Sequence, residues 1–207
     1  MKSLNILKNE DYLLIQNEIN ELPYIVKKAK ETGMKIILNP SPMNDKIKEL
    51  PLNQINYFLL NEIEAMQILD MEEPKEIDGK YISGLLHQKF PEATIVLTLG
   101  SEGSVCISGD EYVEQSIYKV KTVDTTAAGD TYTGYFYCRY LKMEKTIKEA
   151  MDTASKASAI AVSRQGAAPS IHIWKKLKNI KIEEMKADFL RYNIENLLSF
   201  LFENKNK

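Results

Sequence analysis

The chain has 207 residues, 44% hydrophobic and 27% charged, which is enough for one domain with a substantial core. Its 27 Lys and Arg against 29 Asp and Glu leave a formal charge of -2, so it carries no basic field for gripping a phosphate backbone, which argues against a nucleic acid partner. No apolar run reaches the length of a membrane span, and Lys8, Glu10 and Asp11 interrupt the N-terminal stretch, which does not read as a signal peptide.

Short apolar runs alternate with helical patterns along the chain. Tyr12–Gln16 ("YLLIQ") reads as a buried strand, and a helix follows with Leu22, Ile25, Val26 and Ala29 on one face and Gly33 as its stop. Lys35–Asn39 ("KIILN") is the next strand, cut off by "PSP", and this strand–helix–strand unit predicts a parallel pair with a right-handed crossover. Tyr57–Asn61 is a third strand, with the helix "EIEAMQIL" directly behind it and a second helix carrying Ile82, Leu85, Leu86 and Phe90. Thr94–Gly100 ("TIVLTLG") gives the strongest strand signal, and "SEGSVCIS" with "DEYVEQSIYKV" predicts a turn and an antiparallel excursion. A helix is expected from Thr131 to about Leu141, then a small-residue helix from Thr146 to about Ser163. Small residues there suit close approach of a backbone or a flat ligand. Beyond Trp174 the spacing of Phe189, Leu190, Ile194, Leu197, Leu198 and Leu201 predicts an amphipathic helix, with Glu183, Glu184 and Glu195 against a membrane role. The expected class is α/β: a mostly parallel sheet with helices on both faces.

Ligands of such sheets gather beyond the carboxyl ends of the strands, and four loops there carry unusual chemistry. In "DTTAAGD", Asp124 to Asp130, small residues let backbone N–H groups converge on an anion at a helix mouth. Asp130 beside that hole could accept a proton from an attacking hydroxyl, or could simply cap the helix. In "NEIE", Asn61 and Glu64 at i and i+3 suit a hydrated magnesium ion bridging phosphates, or equally a capped helix start. "TLGSEGS" is a glycine turn able to approach a nucleotide, or a plain hairpin; without GxxxxGK[ST] there is no P-loop. "AVSRQGAAPS", by itself, is a helix stop and turn. Cys106 and Cys138 read as small core residues in a reducing cytoplasm, and His87 and His172 lack companions for a zinc site.

Taken in order, these segments resemble the ribokinase family of carbohydrate kinases (the PfkB group). "DTTAAGDTYTG" is similar to that family's C-terminal signature, with Tyr135 where a small residue is usual, and "LNPSP", "NEIEA", "LTLGSEG" and "AVSRQGAAPS" fall in family order and spacing. The resemblance runs from Tyr12 to about Ser170. It implies transfer of the ATP γ-phosphate to a sugar hydroxyl in a cytoplasmic enzyme, with fructose, a nucleoside or another small alcohol as alternative acceptors. It makes Asp130 the base and the N–H groups of Ala127, Ala128 and Gly129 the anion hole. It likewise implies that Asn61 and Glu64 order magnesium and phosphate, that Thr98, Gly100, Ser101 and Gly103 form the nucleotide loop, that Ser155 falls near an adenine contact and that Glu18 touches the sugar. A monovalent cation, potassium, is implied for Asp124, Thr126, Ala161, Arg164, Gly166 and Ser170.

The family's N-terminal strands, small β lid, glycine-rich loop and sugar-gripping Asp have no counterpart here. The expectation is therefore a C-terminal catalytic and nucleotide portion over residues 1–173, followed by a helical extension over 174–207. An uncovered sheet edge would favour a homodimer or other association. A non-catalytic nucleotide-binding or oligomerising remnant is the alternative reading.

Overall fold

A computed structural model describes residues 11–72 and 78–166. The expected C-terminal helix and Ser170 lie outside those residues. The chain divides into two compact units, Met1–Glu114 and Gln115–Lys207, a division inside the portion read as 1–173.

The first unit is built on a six-stranded sheet of β1 (Tyr12–Gln16), β2 (Lys35–Asn39), β3 (Tyr57–Asn61), β4 (Thr94–Thr98), β5 (Ser104–Ser108) and β6 (Glu111–Gln115), in the spatial order β1-β2-β3-β4-β5-β6. The first four run parallel, with Tyr12 opposite Lys35, Ile37 opposite Tyr57 and Tyr57 opposite Thr94. β5 returns antiparallel on β4, with Val96 opposite Cys106, as the turn after "TLG" predicts. Asn56 extends the ladder upstream of β3: its N–H donates to Ile36 O, its Oδ1 accepts from Ile36 N, and its carbonyl accepts from Thr94 N.

Alternate residues on a strand face opposite sides. Ile36, Leu38, Phe58, Leu60, Ile95 and Leu97 thus form one apolar floor. Onto it fold α1 (Leu22–Glu31) through Leu22, Val26 and Ala29, α3 (Glu62–Ile68) through Ala65, Met66 and Ile68, and α4 (Gly79–Lys89) through Ile82 and Leu86. Phe58 stacks on Phe90 at 4.8 Å between ring centroids. The interleaved Ile37, Leu59, Val96 and Cys106 are buried as well, so the strands read as continuous apolar runs. A short helix, α2 (Asp45–Lys48), is started by the Asn44 side chain accepting from Lys46 N.

The second unit pairs α5 (Ala128–Tyr137) with α6 (Ile147–Val162). Ala150, Ala154, Ala157 and Ala161 are buried along α6, and Ser158 Oγ donates to the Ala128 carbonyl at 2.9 Å. The small residues therefore serve close approach of a backbone, that of α5. α6 opens on a capping box: Thr146 Oγ1 accepts from Glu149 N while Glu149 Oε2 accepts from Thr146 N. α5 starts three residues earlier than expected and ends in a π-helical turn, Cys138–Lys142, closed by Met143 N donating to Cys138 O.

Candidate active site

In the first unit the predicted residues line the carboxyl ends of β1, β3 and β4. Glu18 sits exposed in the turn after β1. Its neighbour Asn17 anchors that turn to the segment after β2, with Asn17 N donating to Ser41 O at 3.2 Å and Nδ2 to Pro42 O at 2.7 Å.

Asn61 ends β3 and caps α3. Its Oδ1 accepts from Glu64 N at 2.8 Å, and Glu64 Oε2 accepts from Asn61 N at 3.0 Å. The pair is thus a closed capping box, the capped helix start that was one of the two alternatives of the sequence. Glu64 is 6% exposed, and burial pushes its carboxyl above the usual range, partly countered by the Asn61 N–H, with the Glu62 charge adding to the rise.

β4 ends at Thr98, short of the expected Gly100, because Leu99 leaves the extended region and Gly100 takes φ 52 to begin a 3₁₀ turn over Gly100–Glu102. Gly103 follows at φ 104, and Leu99 N donates to Gly103 O at 2.8 Å. These left-handed angles are what the glycines of "LGSEG" supply. Ser101 lies exposed in this turn. Thr98 Oγ1 donates to Leu60 O at 3.3 Å, tying the turn to β3.

In the second unit, "DTTAAGD" folds as a turn running into α5. Asp124 Oδ1 accepts from Thr126 N at 2.9 Å and from Thr126 Oγ1 at 2.5 Å, and Oδ2 accepts from Gly166 N at 3.0 Å. These bonds, the Thr126 hydroxyl first, hold the Asp124 carboxyl below its usual range. Asp124, Thr126 and Gly166 of the predicted cation set are therefore brought into direct contact. Ala161 and Arg164 lie at the end of α6, where Arg164 N donates to Ala161 O, and the Val162 carbonyl accepts from both Val123 N and Asp124 N. Among the described residues, no group of three His, Cys, Asp or Glu is placed to hold a metal ion.

Ala127 precedes α5 and offers no side-chain cap, so Asp130 is not the capping residue; it stands third in the helix, in the first turn. Of the three amides expected to meet an anion, that of Ala128 already donates to Thr125 O at 3.1 Å. Gly129 is exposed, has no positive φ, and a Cβ built on it meets nothing within 4 Å. The fold itself gives no reason for glycine there; its absent side chain leaves open space at the helix mouth. Thr131, next along, has its hydroxyl buried without a hydrogen-bond partner. Ser155 on α6 is 8% exposed and donates to Ser116 O at 3.2 Å. Sequence reasoning missed a cluster beside Ser155, Tyr118 with Asp152 and Lys156; the i, i+4 spacing of Asp152 and Lys156 was a signal, but no local pattern links Tyr118 to them.

A mostly parallel six-stranded sheet with helices, whose parallel strands end in loops that carry an amide–carboxylate pair and a glycine turn, is the ribokinase-like α/β fold. Residues 17–174 match the pfkB family carbohydrate kinase model, and the chain belongs to that family. It is 30% identical over 181 residues to the ribokinase of Staphylococcus aureus, covering 83% of this chain and 57% of that protein. It is 34% identical over 168 residues to the ribokinase of Haemophilus influenzae, covering 80% of this chain and 54% of that protein. The structure of Arabidopsis thaliana ribokinase complexed with ribose and ATP superimposes with a TM-score of 0.68 at 28% identity, covering 83% of this chain and 56% of that one. The chain thus spans somewhat more than half the length of these relatives. Among the described residues no helix is long and apolar enough to cross a membrane.

Proposed function

We propose that this chain belongs to an ATP-dependent sugar kinase of the ribokinase type, and that Asp130 is its base. The observation that carries this is the mouth of α5: a carboxylate in the first helical turn, beside a glycine whose missing Cβ leaves space the fold does not use. The positive end of the helix dipole falls at the same point.

In the proposed step the Asp130 carboxylate takes the proton of the sugar hydroxyl. The hydroxyl oxygen bonds to the γ-phosphorus as the bond from that phosphorus to the bridging oxygen breaks, and ADP leaves with the electron pair. The amides of Ala127 and Gly129 face the charge on the transferred group, with Ala128 joining if its bond to Thr125 O is released. Asn61 and Glu64 would hold magnesium, which when bound neutralises phosphate charge. Thr98, Gly100, Ser101 and Gly103 cradle the nucleotide, and Ser155 lies near its base. Glu18 meets the sugar. The turn through Asp124, Thr126, Ala161, Arg164 and Gly166 would hold potassium and keep the helix mouth in shape, with Ser170 as a further ligand by sequence resemblance. Positioning and electrostatics supply most of the catalysis in such transfers, a positioned base giving about 10²–10⁴ in rate.

A second reading, nucleotide binding without transfer, is favoured by two groups that bond to themselves: Asn61 with Glu64, and Ala128 with Thr125. One assay separates the two. ATP, magnesium, potassium and ribose are given to the full chain and ADP release is followed, with fructose and nucleosides as further acceptors. Ribose-dependent ADP release that Asp130→Asn abolishes, while ADP binding stays within about twofold, is the expected result. Binding without release selects the second reading, and turnover by Asp130→Asn rejects Asp130 as the base.

A further inference from the structure

Residues 116–122 have no regular secondary structure and expose Ile117, Tyr118 and Val120, yet they lead straight into Asp124 and the mouth of α5. A strap with so little burial needs other attachments. At its far end Val123 N and Asp124 N both donate to Val162 O, at 2.7 and 3.2 Å, and Gly166 N closes onto Asp124. At its near end the attachment is made by side chains. The Tyr118 hydroxyl donates to Asp152 Oδ1, Lys156 Nζ pairs with Asp152 Oδ2 at 2.6 Å, and the same ammonium stands 5.3 Å from the centre of the Tyr118 ring. Asp152 and Lys156 lie one turn apart on α6. Between them, Ser155 donates to the carbonyl of Ser116, the first residue of the strap.

Each contact alone is weak where water competes. Together they share one carboxylate and one ammonium, so each holds the others in place. We infer that Tyr118, Asp152 and Lys156 form a clasp that holds residues 116–124 along α6 and thereby sets the affinity of this unit for the adenine nucleotide. They are positioning residues. The clasp fixes Ser116 and Ser155 at one end of the strap and delivers Asp124 in register at the other. This inference rests on the nucleotide reading given above.

The test is calorimetric titration of the full chain with ADP and magnesium, for the unsubstituted protein, Tyr118→Phe, Asp152→Ala and the double variant, alongside amide exchange at Val123 and Asp124. Tyr118→Phe keeps the ring beneath Lys156 and removes only the hydroxyl, so the fold is retained. The expected losses are about threefold for Tyr118→Phe and about tenfold for Asp152→Ala, with the double variant no weaker than Asp152→Ala. The Val123 and Asp124 amides should exchange faster in each. Faster exchange with unchanged ADP affinity makes the clasp merely structural and overturns the inference, leaving the nucleotide reading standing. Failure of the unsubstituted chain to bind ADP overturns that reading and the inference with it.

Discussion

At the residue scale, Gly129 separates stability from function. Glycine within a helix costs about 0.5–1 kcal/mol relative to alanine, and here an added methyl meets no atom within 4 Å and no left-handed backbone angle. Gly129→Ala should therefore raise the free energy of unfolding by about 0.5–1 kcal/mol in denaturant titration, while abolishing sugar-dependent ADP release. A destabilised variant would give this glycine a role in the fold, and a stabilised, fully active one would show that the space at the helix mouth has no role. That Asp130 stands near the start of a helix was legible from the pattern of two small residues, glycine and carboxylate. Its rank in the helix was not, because Ala128 and Gly129 carry no apolar periodicity to mark where α5 begins.

At the scale of elements, two carboxylates should shape the pH dependence in opposite senses. Burial raises the folded-state pKa of Glu64 above its ordinary 4.5. Its contribution to stability is then fully present below the unfolded value and is lost as pH rises through the folded one. Glu64→Gln keeps an acceptor for Asn61 N and loses the charge, so its thermal midpoint should gain on the unsubstituted protein as pH climbs above 4.5; a pH-independent difference would contradict this. Glu64→Ala, which keeps the Asn61 cap but loses the reciprocal bond to Asn61 N, should cost about 1 kcal/mol at low pH as well. Asp124 runs the other way. Its folded pKa is held below 3.8 by the Thr126 hydroxyl and then by the Thr126 and Gly166 amides. Its contribution is present above the unfolded value and is lost as pH falls through the folded one. Asp124→Asn should accordingly flatten the acid limb of a stability profile, and an unaltered limb would deny the Asp124 bonds their weight.

The strands were the most legible elements. β1, β2 and β3 fall on the residues the apolar runs mark, because each is a short apolar core that stops at a polar residue, Gln16, Asn39 or Asn61. β4 is shorter than its run because the φ of Gly100 turns the chain away, a backbone event that hydrophobicity does not record. α2, at four residues, is too short to show a period, and its Asn44 cap signals only locally. Within the site, Asn61 and Glu64 could be read from i, i+3 spacing. The bond from Ala128 to Thr125 O, and the meeting of Tyr118 with Asp152, depend on how a turn and a strap are laid down.

At the scale of the whole molecule, the division at Gln115 falls just before a strap carrying two exposed lysines, Lys119 and Lys121. Brief trypsin treatment should cut after one or both, giving two fragments near that division. ADP should slow the cut if the strap responds to nucleotide. Rapid cleavage elsewhere within the described residues, with the strap intact, would show that the clasp and the Val162 bonds hold more tightly than exposure suggests. The formal charge of -2 adds no strong field, so weak salt dependence is expected for any association through a sheet edge.

The sheet keeps its strands in the order in which they are made, from β1 to β6. Among the described residues, no strand has to be inserted between two already paired, and none waits for a distant segment before finding its neighbour. Tyr12 meets Lys35 as soon as α1 has formed, and each later strand is laid on the edge left by the one before. Each pairing closes only the connection between strands adjacent in the chain, so less loop entropy is lost than in joining distant strands. The first unit can therefore assemble in the direction of synthesis, strand by strand, while the residues that follow it are still being added to the growing chain.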